Sequence, residues 1–519
     1  MLAKAMLILN KKKSVNHLIK FLQYLFLILL LGLIVGISYR RPIIPWDSWA
    51  YHLPFTAALW NINNFRDVFI MDEGMLNRFH GFPLALDWMR GIFWKISNDV
   101  RATVLLSSLS FSIFVLATSI FFRLNPLLFL IGLLTFPQIS IHIFSTYSDL
   151  PFGILIATQF VIAIAIERYF LREKLSKINS FALLFGFILS TALSGNSKMW
   201  GPILNASIIT FLFLYALIYY RINKNKLIIL FIVCFFSMML SCFTIIKNTI
   251  NHNNPFYPIT FSIPLSEKKL IGPEPQHDAS PAYAMNLSVL EKPIYFLFSI
   301  TEFDWNLRGI NNYYSLDSAP GENPKKYGKA RTGGWWGVYL GFNFIALFAI
   351  WLYAVKYNRM LYAKLKFSVA MYGFFLLSIS LLPQSHELRY FLCIPILLIF
   401  LINDNLKYLK LTNNYFLLIY TTYLCFFLYS FTYLSGEDIR DDIKNKGVFS
   451  ILSRKKNDEI YFPQYVIEIV DAKKNGGICL GPEYSPNQLK YSAIFVGGSY
   501  VIEQSNSKCR FYDQYLGTK

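Results

Sequence analysis

Residues 21–39 read Phe-Leu-Gln-Tyr-Leu-Phe-Leu-Ile-Leu-Leu-Leu-Gly-Leu-Ile-Val-Gly-Ile-Ser-Tyr, without a charge, just after Lys11, Lys12 and Lys13. A helix needs about 20 apolar residues to cross hydrocarbon, where every backbone amide must be satisfied inside the segment. No small-residue cleavage site follows, so the stretch reads as a retained signal anchor. The rest of the chain has the same character. Of 519 residues, 55% are hydrophobic, 18% aromatic and only 15% charged, against about 25% charged in soluble domains. Mean hydropathy is +0.41. A soluble enzyme, a disordered scaffold and a nucleic-acid-binding protein are excluded as primary readings.

Eleven segments are predicted to span, which makes the chain an all-α polytopic membrane protein. They are Phe21–Tyr39, Thr103–Phe122, Pro126–Phe144, Leu150–Ile166, Phe181–Leu193, Ile203–Tyr219, Leu227–Ile246, Trp335–Val355, Phe367–Pro383, Tyr390–Asn403 and Tyr415–Leu434. The net charge of +19 reports sidedness rather than affinity for polyanions. With the N-terminus cytoplasmic, the cytoplasmic loops hold Arg123, Arg168, Arg172, Lys174, Lys177, Arg221, Lys224, Lys226, Lys356, Arg359, Lys364, Lys366, Lys407 and Lys410, with only Glu173 and Asp404 as acids. The polar, sequence-rich loops 40–101 and 247–334 then emerge on the other side. The working surface is therefore expected to be extracytoplasmic.

Residues 1–434 are assigned to the membrane domain, and 435–519 to a small mixed α/β extracytoplasmic domain. Cys479 and Cys509 lie in that tail, where a disulfide between them is left open. In the first loop, the stretch from Phe82 to Trp94 carries Asp87 and Arg90 and reads as an amphipathic helix lying at the interface.

Several polar groups are predicted to gather at the outer face. Asp47 and His52 stand in Pro45-Trp46-Asp47-Ser48-Trp49-Ala50-Tyr51-His52-Leu53-Pro54, directly after span one. Asp47 reads either as a helix cap or as a reactive carboxylate where the chain leaves the membrane. Asp149 lies in the turn between spans three and four, Lys198 between five and six, and Lys247 after seven. Arg331 precedes Gly333-Gly334 and span eight, and Gln384-Ser385-His386-Glu387-Leu388-Arg389-Tyr390 enters span ten. Each cation has a plain alternative as an interfacial anchor, and His52 and His386 as structural hydrogen-bonding groups. There is no metal-ligand spacing, P-loop or G-x-G-x-x-G.

In order and sidedness these blocks resemble bacterial membrane glycosyltransferases of the GT-C fold. The resemblance covers about residues 20–400 and rests on Asp-x-x-x-Tyr-His-x-Pro, Tyr-Ser-Asp-Leu-Pro, the Lys after span five, Asn-x-x-x-x-x-Asn-Pro-x-Tyr-Pro, Gly-Gly and Arg-Tyr. That group includes protein mannosyltransferases and aminoarabinose transferases. The resemblance implies a sugar donor on a polyprenyl phosphate and transfer to a lipid or glycan acceptor, at the outer face of a bacterial inner membrane. It places Asp47 at the reaction centre, as acceptor base or in a metal-assisted site with a divalent cation, and Asp149 as a second carboxylate. Tyr51, His52, Lys198, Lys247, Arg331, His386, Glu387 and Arg389 are the implied substrate contacts. An O-antigen or capsule polymerase and a non-enzymatic transporter or flippase are the alternatives. A transporter predicts ionisable groups near mid-membrane, whereas the charges here cluster at span ends.

Overall fold

The structure is a computed structural model that describes residues 2–40, 48–62, 71, 73–171, 176–219, 224–262, 269–274, 287–301, 336–382, 385, 388–409, 421–428, 479–480 and 501–502. In chain order, helix α1 (Leu2–Arg40) precedes a π-helical segment (Ser48–His52), α2 (Leu53–Trp60), α3 (Glu73–Gly81) and α4 (Ala85–Ser97). A 3-10 turn (Val100–Val104) leads into α5 (Leu105–Phe122), followed by α6 (Pro126–Leu134), α7 (Pro137–Ile143) and α8 (Asp149–Ala165), which runs on as a π-helix through Ile166–Phe170. Next come α9 (Lys177–Gly195), α10 (Gly201–Tyr219), α11 (Lys224–Ser241) and α12 (Phe243–His252). The described chain continues with α13 (Glu291–Thr301), α14 (Trp336–Tyr357), α15 (Arg359–Ser380), a 3-10 turn (Leu388–Phe391) and α16 (Cys393–Leu406). Residues 421–428 are also helical.

Among the described residues, eight helices are long and apolar enough to cross a membrane. The protein is a multi-pass membrane protein. Its outer helices carry exposed apolar side chains, such as Phe21, Leu29, Phe235 and Phe348, which hydrocarbon would solvate. By contrast, α16 is apolar nearly all round and is buried along its whole length, as such a pattern requires. It packs against α8, α14 and α6. At 14 residues it spans only about 21 Å, the short tenth span of the sequence.

Three predicted spans take a different form. The third is two helices, because Pro137 has no amide to donate. At the break, the Leu133 carbonyl receives the Phe136 amide at 3.1 Å, and Ser140 Oγ donates to Leu134 O at 2.8 Å. The seventh ends at Ser241, and α12 then leads away with Lys247 on it. Between spans eight and nine, only Asn358 separates α14 from α15, and its side chain caps α15 by accepting from the Leu361 amide at 3.0 Å. Lys364 and Lys366 therefore belong to a helix rather than to a loop.

At the end of α8 opposite Asp149, Asp404 is fully buried and receives Arg168 Nη1 and Lys407 Nζ, each at 2.6 Å. Two of the basic residues used to assign sidedness thus satisfy a buried acid. In the tail, Cys479–Leu480 and Val501–Ile502 pair in parallel. Cys509 and most of the region from 435 lie outside the described residues.

The two long loops, 40–101 and 247–334, are clasped together. Arg78 forks onto Glu274 at 2.6 and 3.1 Å, and Tyr257 donates to Asn77 at 2.6 Å. Asn248 is buried and donates to the carbonyls of Gly81 at 2.8 Å and Tyr257 at 3.1 Å. The His252 ring stacks on Tyr257 with centroids 3.6 Å apart. Residues 261–262 and 269–270 form a short antiparallel hairpin beyond this clasp.

Candidate active site

The sequence after span one places Tyr51 and His52 on the π-helical segment, a form that recurs at functional sites. Ser48 at its start accepts a close hydrogen bond from Thr146, in the turn before α8. This ties the exit of span one to the head of α8. Asp47 lies immediately outside the described residues.

Helix α4 crosses this junction. Its buried residues include Leu86, Asp87, Arg90, Gly91 and Trp94, while Trp88, Lys95 and Ile96 are exposed. The spacing is that of one helical face, but the charged pair is on the inward side. The expected helix is therefore present, with Asp87 and Arg90 turned into the protein. Gly91 permits the approach: a Cβ there would meet Trp60 Cδ1 at 1.9 Å.

Arg90 is wholly buried. Its Nη1 donates to Asp87 Oδ1 at 2.5 Å and its Nη2 to Ser148 Oγ at 3.1 Å. Burial pulls the guanidinium below its ordinary value, and the charges of Asp87, Tyr51 and Asp149 oppose that pull. His52 Nδ1 sits 3.0 Å from the same Asp87 oxygen. A buried charge is tolerated only when its partners are in place, and here three segments supply them.

Asp149 is the first residue of α8 and is buried. Lys198 Nζ bonds its Oδ1, and His142 Nε2 lies 3.4 Å from its Oδ2. The Nδ1 of His142 lies 2.7 Å from the carbonyl of Gln138. A carbonyl only accepts, so that nitrogen carries the hydrogen, and Nε2 bonds Asp149 when the ring is protonated. The Lys198 ammonium also stands 4.8 Å above the Tyr390 ring and 5.7 Å from that of Phe152. Both Asp149 oxygens thus face nitrogen groups, an arrangement that positions Lys198 more than it equips Asp149 as a base.

Asn196 holds the Lys198 turn in place. Its side chain accepts from Thr244 N at 3.0 Å and Thr244 Oγ1 at 2.8 Å, and donates to the carbonyls of Ala192 and Leu240, both at 2.8 Å. Its own carbonyl receives the Ala85 amide at 2.9 Å. One side chain and its carbonyl join α9, α11, α12 and α4.

Of the residues singled out from sequence, Tyr51, His52, Asp149 and Lys198 come together around Arg90. Lys247 does not join them: its ammonium bonds the His80 carbonyl at 2.5 Å in the loop clasp, and burial lowers its pKa from the ordinary lysine value. The Arg389 backbone lies in the 3-10 turn that also carries Tyr390. Asp47, Arg331, His386 and Glu387 lie outside the described residues. Sequence reasoning missed Asp87, Arg90, His142, Ser148 and Asn196 as parts of a site. Among the described residues no three His, Cys, Asp or Glu converge as metal ligands. Lys198 already supplies a cation to one Asp149 oxygen.

No family model matches the chain, and no curated protein matches it. Its architecture is similar to the crystal structure of ArnT from Cupriavidus metallidurans in the apo state, with a TM-score of 0.51 over 97% of this chain and 89% of that one. The chain has the GT-C-type fold of ArnT. Sequence identity across that match is 9%, so the likeness is one of architecture alone. The same protein bound to undecaprenyl phosphate is also similar, at 9% identity and a TM-score of 0.47 over 95% of this chain and 88% of that one.

Proposed function

We propose that the protein is a glycosyltransferase that moves a sugar from a polyprenyl-phosphate-linked donor to a cell-envelope lipid or glycan, on the extracytoplasmic face of a bacterial inner membrane. The observation that carries this reading is the network around Arg90. It brings His52, Asp87, Ser148 and Asp149 into one buried cluster from three segments, at the end of the helix bundle where the outer loops emerge. The ArnT-like fold supports it, and the undecaprenyl phosphate bound by that relative agrees with a lipid-linked donor.

Transfer requires a positioned acceptor and cations where the departing phosphate gathers charge. In this reading Asp47 bonds the acceptor hydroxyl at the reaction centre. Lys198 is aimed by Asp149 and Tyr390 and neutralises the phosphate, together with Arg389 and Arg331; arginine suits that task because its planar fork binds two oxygens. Tyr51, His386 and Glu387 contact substrate. Lys247 serves through the loop clasp.

The test has two parts. Cell-surface glycolipids and polysaccharides are compared with and without the gene, which names the product. The purified full chain in lipid nanodiscs is then assayed for release of undecaprenyl phosphate from undecaprenyl-phosphate-linked hexoses and aminopentoses in the presence of that acceptor. An unchanged envelope together with no release from any donor rejects the proposal.

A further inference from the structure

His52 and Asp87 form a pair that binding of a donor phosphate does not by itself require. A carboxylate oxygen has no hydrogen to give, and Asp87 Oδ1 stands 3.0 Å from His52 Nδ1. That contact is a hydrogen bond when Nδ1 carries the hydrogen, which leaves Nε2 of the neutral ring as an acceptor. Among the described residues Nε2 has no hydrogen-bond partner, and the side chain keeps 10% of its surface open. Asp87 is itself held by Arg90, which bonds the same oxygen at 2.5 Å and reaches Ser148 with its other arm. The ring is thus fixed at one nitrogen, open at the other, and five positions after Asp47.

We propose that His52 is the proton acceptor of the transfer step and that Asp87 is its positioning residue. The inference rests on the glycosyltransferase reading and on an acceptor that attacks through a hydroxyl. The acceptor oxygen forms a bond to the anomeric carbon as the bond from that carbon to the phosphate oxygen breaks. The polyprenyl phosphate leaves with the bonding electron pair. The hydroxyl proton passes to His52 Nε2, and the imidazolium so formed faces the Asp87 carboxylate. Water takes the proton once product has left.

Other charged and titratable groups surround the ring. Asp87 and Arg90 reach the ring from α4, Asp149 acts from the head of α8 through Arg90, and Tyr51 lies on the same segment with its ring 4.3 Å away. Arg90 Nη1 is 3.5 Å from Nδ1.

The experiment is undecaprenyl phosphate release by the full chain in nanodiscs from undecaprenyl-phosphate-linked hexoses and aminopentoses, with the acceptor named by the envelope comparison, from roughly pH 5 to 9, the range that brackets histidine titration. The wild type is expected to show a rate that rises through a single histidine-like inflection. His52→Asn keeps a donor toward Asp87 and is expected to lose about 10²- to 10⁴-fold in kcat together with that inflection, with donor KM little changed. Asp87→Asn is expected to move the inflection to lower pH. A His52→Asn protein that retains the wild-type rate and profile overturns the proposal. Should that variant fail to insert, the wild type decides: a rate flat across the histidine range overturns it as well. No release by the wild type from any donor rejects the glycosyltransferase reading itself, an outcome distinct from either of these.

Discussion

Arg90 of the first-loop helix donates to Ser148, the residue just before the transmembrane helix that begins with Asp149, at 3.1 Å. This contact lashes a loop element to the head of the central span. It depends on an arginine with no exposed surface, without which the Asp87 carboxylate would keep, among the described residues, only the His52 imidazole at 3.0 Å as a partner.

Arg90→Met is therefore expected to cost about 3–5 kcal/mol, because it strands Asp87 without its partner. The double variant Asp87→Leu with Arg90→Met should be more stable than Arg90→Met alone, since no charge is then left unpaired. Thermal unfolding of the detergent-solubilised proteins checks both; equal stability of single and double variants would show that the pair is not coupled.

Asp47→Asn is expected to abolish sugar transfer while leaving membrane insertion and abundance intact. Normal turnover by the variant would remove Asp47 from the reaction centre.

At Gly91 any side chain points into Trp60. Gly91→Ala should destabilise by about 1–3 kcal/mol through overpacking, and should also lower turnover because α4 carries Asp87 and Arg90. Adding Trp60→Ala makes room for the new methyl and should recover part of the loss, as read by melting temperature and rate together.

The loop clasp is expected to weaken in acid. Burial holds His252 below the ordinary histidine value of 6.5, and Lys247 and His80 add to that effect. The folded ring therefore binds its proton less readily than the unfolded one, so the unfolded state takes up more protons as pH falls through 6.5. Stability of the clasp should be constant above neutral pH and decline below 6.5. Amide hydrogen exchange in residues 244–262 at several pH values measures this, and His252→Gln should flatten the response.

The spans were legible because length and lack of charge are one-dimensional signals. Residues 21–39 and 203–219 were read as helices and are helices, whereas the seventh span, read as 227–246, ends at Ser241 and a second helix begins at Phe243. Pro137 announced a break inside the third span that its apolar composition concealed. The site was legible where a polar residue interrupts a span boundary, as with Asp149 and Lys198, because hydrocarbon makes such interruptions costly. It was not legible at Asp87 and Arg90. An amphipathic stripe tells which residues share a face, but an inward charged face and a solvated one have the same periodicity until a partner such as Ser148 is placed opposite. Asn196 was hidden for a similar reason: its four side-chain bonds reach residues from 192 to 244, and no local pattern encodes them.

That asparagine sets a limit on how the molecule can be re-engineered. Exchanging the long loops with those of another protein of this fold would treat the loops as detachable modules. Here the first loop, the lysine-bearing turn and the exit of the seventh span are pinned to one small amide, so a graft that omits it transplants a surface without the frame that aims it.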